Sequence, residues 1–101
     1  MPKINLQFDS KSSAAEVYNK VKGFLTTDEG IKKLDSKLTF SFSDPDMKGT
    51  AKGGGFSADL QVESKDVGCK VNLAVDLSFL LTPFKSKVEE VLQRKISKLL
   101  G

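Results

Sequence analysis

Few side chains in this 101-residue sequence are equipped for chemistry, and none of them forms a reactive pair by spacing. Cys69 is the sole cysteine and histidine is absent. That removes an intrachain disulfide, His-bearing zinc sites, Ser-His and Cys-His nucleophile pairs and imidazole acid–base catalysis. Cys69 stands at a strand start beside Lys70, a neighbour that can lower a thiol pKa. The plainer reading of this single thiol is a lone small hydrophobe. Asp44 and Asp46 flank a turn proline, and Glu89 and Glu90 are helix neighbours pointing about 100° apart, so neither pair makes an acid and base. The run Gly53-Gly54-Gly55 raises a phosphate-cradling loop, but that loop ends in Gly-Lys-Ser/Thr and opens a helix. Here Phe56-Ser57-Ala58 follows and opens a strand. We expect no catalytic residue, no metal site and no cofactor.

The charge pattern narrows the partners. Sixteen Lys and Arg are interleaved with thirteen Asp and Glu, giving a net +3, and Arg94 is the only arginine, so the bidentate forks used on phosphates and base edges are nearly missing. The strand residues expected to face solvent include Asp59 and Asp76, and the strand aromatics are expected to face inward. A base-stacking surface for RNA needs the opposite arrangement, so no nucleic-acid partner is expected. With 39% hydrophobic and 29% charged residues the composition is that of a folded domain, and the length allows one modest core, a single domain over 1–101. The start, Met1-Pro2-Lys3-Ile4-Asn5, carries no signal-type apolar stretch, and the expected location is the cytoplasm.

Ile4, Leu6 and Phe8 alternate with polar residues, the pattern of a strand with one buried face. Ser13-Ala14-Ala15-Glu16 is a capping-box sequence that starts a helix at Ala14, whose stripe is Val17, Val21, Phe24 and Leu25. A break is expected near Gly30, with Thr26 to Gly30 ending the helix or capping a short second stretch carrying Ile31 and Leu34. Leu38, Phe40 and Phe42 mark the second strand, followed by the turn Asp44-Pro45-Asp46. Gly49 to Gly55 reads as a glycine-rich arm. Phe56, Ala58, Leu60 and Val62 mark the third strand, and Val71, Leu73, Val75, Leu77 and Phe79 the fourth. Thr82 as cap and Pro83 in the first turn open a last helix with the inward stripe Phe84, Val88, Val91, Leu92, Ile96 and Leu99. Arg94, Lys95 and Lys98 near its end complement the helix dipole.

These elements predict an α+β, two-layer β-α-β-β-β-α fold. The first strand pairs with the last in a four-stranded antiparallel sheet of order 1-4-3-2, with the helices packed on one face. Phe40, Phe42, Phe56 and Phe79 are expected to fill the interior, which leaves little room for a cavity of ~300 Å³, the lower end for ligand pockets.

The stretch Val71 to Glu89 resembles the end of the polyhydroxyalkanoic acid system family, small bacterial proteins encoded near polyester-storage genes. The shared pattern is carried by Leu77, Phe79, Leu80, Leu81, Pro83, Phe84, Lys85, Val88 and Glu89. The order of elements also resembles a reduced START-type helix-grip fold, in which a curved sheet holds a C-terminal helix and sometimes a lipid between them. The first resemblance implies a non-enzymatic accessory protein whose partner is the polyester granule surface or a granule protein. Leu80, Leu81 and Phe84, with Lys85 and Lys87 beside them, form the candidate docking corner, an apolar surface with a lysine rim. The plainer reading of that corner is a plug at the end of the core. The second resemblance implies the alternative, a small lipid or acyl-ligand binding protein. The sequence does not set the oligomeric state.

Overall fold

The computed structural model describes residues 3–34 and 37–100. Among the described residues five strands and three α-helices follow in the order β1 (Lys3–Ser10), α1 (Ala14–Thr27), α2 (Glu29–Leu34), β2 (Thr39–Ser43), β3 (Lys48–Lys52), β4 (Phe56–Ser64), β5 (Cys69–Leu77) and α3 (Lys85–Leu100). All neighbours pair antiparallel in one sheet of order β1-β5-β4-β3-β2, so the first strand does lie beside the last. The sheet has five strands rather than the expected four. The additional one, β3, lies in the glycine-rich arm. Its sequence, Lys-Gly-Thr-Ala-Lys, turns only Gly49 and Ala51 inward, too little apolar surface to show a period of two. The ladders of β2 and β4 on either side make it a strand.

Inward-facing rows run straight across the sheet. One is Phe42, Gly49, Leu60, Leu73 and Leu6; the next is Phe40, Ala51, Ala58, Val75 and Ile4. Gly49 and Ala51 on β3 and Ala58 on β4, set among larger side chains, hollow the inner face under α1 and α3. The Phe42 ring lies over Gly49, where a Cβ would come within 2.5 Å of a ring carbon. The outer face is polar, with Gln7, Asn72, Gln61 and Lys48 aligned across four strands, as a one-sided antiparallel sheet permits.

Local chemistry sets the connections. The Ser13 side chain accepts from the Glu16 N–H at 3.3 Å and starts α1 at Ala14 as read. Asp28 ends α1 and caps α2, accepting from the Ile31 N–H at 3.0 Å. The break therefore falls at Asp28, with a second short helix beyond it. Ile31 is buried, and the Leu34 side chain lies outside the described residues. Asp44–Asp46 form a single 3₁₀ turn closing the β2–β3 hairpin, with Met47 in the left-handed region at φ 52°. Gly68 turns β4 into β5 at φ +77°, where a Cβ would meet the Ser10 carbonyl oxygen at 1.9 Å; only glycine fits.

The end of the chain departs from expectation. The last strand stops at Leu77, and Phe79–Phe84 form a 3₁₀ segment, so α3 starts at Lys85 rather than at Thr82-Pro83. Pro83 lies within the 3₁₀ segment. Phe79 is 76% exposed instead of buried, because the strand alternation that would have carried it inward has ended. Phe40 and Phe42 are only half-buried, and of the four Phe residues assigned to the interior only Phe56 is fully enclosed. The inward stripe of α3 is Val88, Leu92 and Ile96.

Candidate functional site

The hollow made by Gly49, Ala51 and Ala58 persists as an apolar cavity of about 20 Å³ between the sheet and the helices. That is space for about one water molecule. The interior is nearly filled, though of the four Phe residues expected to fill it only Phe56 is enclosed. Next to it lies a groove of about 510 Å³ between α2, the 3₁₀ segment and α3, open to solvent. Ile31, Phe56 and Leu92 line both spaces and form the wall between them.

Each element contributes a defined part. Ile31 comes from α2 and Phe56 from the first position of β4. Leu81 and Phe84 come from the 3₁₀ segment, and Val88, Val91 and Leu92 from α3. Leu81 packs beside Gly55, whose carbonyl accepts from the Ser78 N–H at 3.0 Å and ties the 3₁₀ segment to the β3–β4 turn. Lys33, Lys87, Arg94 and Lys95 stand among the apolar residues, and no carboxylate is among the groove's described lining residues. Lys95 donates to both Asp28 carboxylate oxygens at 3.1 and 3.0 Å, which pins α3 to the α1–α2 corner at the groove margin. Burial pushes the Asp28 pKa upward, but the Lys95 ammonium and the Ile31 and Gly30 N–H groups outweigh it, and the net pKa is lowered. The combination is an apolar trough with Lys33, Lys87 and Arg94 at its margins and Lys95 already neutralised by Asp28. Such a trough accepts an aliphatic chain and favours an anionic group at its mouth.

The five residues read from the sequence as a docking corner separate here. Leu81, Phe84 and Lys87 line the groove; Leu80 is 86% exposed, and Lys85 is half-exposed at the start of α3. Phe84, 55% exposed, serves both surfaces. Phe79, Leu80 and Phe84 are exposed beside the groove, whereas Leu81 packs against the core, so the plug reading holds for Leu81 and not for Leu80 or Phe84. The groove residues from α2 and the α3 side chains Val91, Arg94 and Lys95 were not singled out as a site. A signal existed, since Phe84, Val88, Val91 and Lys95 recur at helical spacing on a face offset from the core stripe Val88, Leu92 and Ile96.

Other candidate groups are structural. Cys69 is completely buried, and burial raises its thiol pKa; nearby Lys65, rather than Lys70, opposes this without reversing it. Tyr18 donates to Asp44 Oδ1 at 2.7 Å, and Lys22 reaches the same oxygen at 2.9 Å, which ties α1 to the β2–β3 turn. Burial and the Asp44 carboxylate push the Tyr18 pKa up to about 12. Among the described residues no group of three or more metal-ligating side chains occurs, and no helix is long and apolar enough to cross a membrane.

No protein-family model matches the sequence, and no curated protein sequence is significantly similar to it. Solved structures do match. The Aha1 dimer from Colwellia psychrerythraea aligns over 99% of this chain and 94% of its own with a TM-score of 0.70 at 15% identity. Ara h 8.0201 aligns over 99% and 95% with a TM-score of 0.65 at 13% identity. The di-domain ARO/CYC protein BexL from the BE-7585A biosynthetic pathway aligns over 99% of this chain and 45% of its own, with a TM-score of 0.67 at 10% identity. None of these neighbours is described as a polyhydroxyalkanoate protein, and the granule expectation gains no support from them. At such identities the likeness speaks for architecture alone. The chain has the α+β helix-grip fold, an antiparallel sheet holding a C-terminal helix.

Proposed function

We propose that this chain binds a small amphiphile, an aliphatic chain with an anionic head, in the groove between α2 and α3, without catalysing its conversion. The observation that carries this reading is the groove itself. Its volume of about 510 Å³ lies within the ~300–1,000 Å³ range of ligand pockets, its floor is aliphatic and aromatic, and its charged lining residues are cations. The helix-grip architecture of the structural neighbours supports a ligand-binding reading over a granule role, although the groove here lies between α2, the 3₁₀ segment and α3 rather than between sheet and helix. The 20 Å³ inner cavity is too small for a ligand, so the site is the groove, with the inner hollow as the space into which a chain end extends when the wall yields.

Calorimetric titration with dodecanoate, dodecanol and dodecyltrimethylammonium tests this. Saturable binding is expected with dodecanoate strongest and the cationic amphiphile weakest, and Leu81→Glu should weaken dodecanoate at least about tenfold by putting a carboxylate on the groove floor. Equal affinity for all three, or binding indifferent to Leu81→Glu, would sink the proposal.

A second reading rests on the exposed corner. Phe79, Leu80 and Phe84, with Lys85 and Lys87 adjacent, support docking on a lipid-coated or polyester granule surface. Co-sedimentation with anionic lipid-coated particles should deplete the supernatant of the native chain and spare a Leu80→Glu variant. Equal recovery of both in the supernatant counts against it.

A further inference from the structure

We infer that this chain forms a two-fold homodimer by pairing its β2 edges into one continuous ten-stranded sheet. The two edges of the sheet differ. β1 carries Lys3 and Asp9, charges of the kind that protect an edge from pairing. Among the described residues β2 has β3 as its one strand neighbour, and it reads Thr39-Phe40-Ser41-Phe42-Ser43, without a charge, proline or glycine. Its far side offers a row of backbone groups to an incoming strand.

The segment is also self-complementary. An antiparallel copy related by a two-fold axis at Ser41 sets Phe40 opposite Phe42 of the partner subunit and Thr39 opposite Ser43 of the partner subunit. This register keeps every inward residue on the inward face, as a buried face requires. Phe40 and Phe42 are stacked at 5.9 Å with an interplanar angle of 7° and are only half-buried in the single chain. In the dimer two such stacked pairs meet beside the hollow that Phe40 and Phe42 line. The occupant that fits all of these features is a second copy of the same strand.

The experiment is the mass in solution. Sedimentation equilibrium of the native chain in the micromolar range should give twice the monomer's 11.0 kDa. Ser41 is exposed on the outer face at the axis, so Ser41→Lys and Ser41→Asp each place like charges face to face and should each run as a folded monomer. An equimolar mixture of the two variants should recover the dimer. Asn5→Lys, on the other edge, should leave the dimer intact. Circular dichroism confirms that each variant is folded. A monomeric native chain, or Ser41→Lys and Ser41→Asp that stay dimeric, overturns the inference. A mixture that stays monomeric rejects the axis at Ser41.

Discussion

Replacing Leu92 by alanine separates the groove's role from its contribution to stability. Leu92 is 2% exposed and belongs to the wall, with Ile31 and Phe56, between the 20 Å³ hollow and the 510 Å³ groove. Losing three carbons there should destabilise the fold by about 2–5 kcal/mol, the transfer free energy of the lost groups plus the cavity left behind. In a domain of this size that lowers the melting temperature by roughly 4–8 °C per kcal/mol. Ile96→Ala, one turn further along α3 and fully buried but lining neither space, should cost about the same. Ligand binding tells the two apart. With Leu92 truncated, the groove and hollow join, and an alkanoate can extend inward. Each further CH₂ buried adds about 0.8 kcal/mol, a factor of about four in affinity. Titrating native chain, Leu92→Ala and Ile96→Ala with octanoate, decanoate and dodecanoate should show a steeper gain with chain length for Leu92→Ala alone. If both variants lose stability and neither changes the chain-length slope, the wall is not a gate and the hollow has no part in binding.

Three further outcomes follow from local geometry. The Asp28 pKa is lowered in the fold, so its stabilisation is present above the unfolded carboxyl pKa of about 3.9 and is lost as pH falls through the folded value. Asp28→Asn should cost about 1–2 kcal/mol at neutral pH in chemical denaturation, with the difference from the native chain shrinking in acid. Tyr18 is the only tyrosine, and with its pKa raised to about 12 its ultraviolet titration should be displaced above the usual value of about 10. The stabilisation linked to that shift is present below pH about 10 and is lost as pH rises through about 12. Asp44→Asn should bring the midpoint down, and an unmoved midpoint would contradict the Tyr18–Asp44 hydrogen bond. Gly68→Ala, with φ +77° and a Cβ contact of 1.9 Å to the Ser10 carbonyl, should destabilise by more than about 2 kcal/mol in thermal melts.

Much of the fold was legible because its elements advertise themselves. β1, β4 and β5 alternate apolar and polar residues over most of their lengths, and α1 carries its cap and its stripe. β3 was not legible, because a strand whose inner residues are glycine and alanine shows no hydrophobic period. The start of α3 was misplaced because Thr-Pro is a good helix opening wherever it occurs. Here strand β5 ends at Leu77 and the chain turns the corner in a 3₁₀ segment, which leaves Phe79 and Leu80 outside. Of the corner residues, Leu81, Phe84 and Lys87 belong to the groove, while Leu80 and Lys85 do not line it.

What the sequence determined by itself is a matter of residue inventory and period. Without histidine and with one cysteine, the common nucleophile pairs have no members. The alternation of three strands and the stripes of two helices define a one-sided sheet under a helical layer. What only the tertiary structure decided is which side chains share a space. Ile31, Phe56, Leu81 and Val91 lie far apart along the chain, and Gly49, Ala51 and Ala58 matter through the volume they leave empty. A groove is a property of the gap between packed elements. Side-chain periodicity says which face turns inward, but how closely two inward faces approach depends on every residue between them.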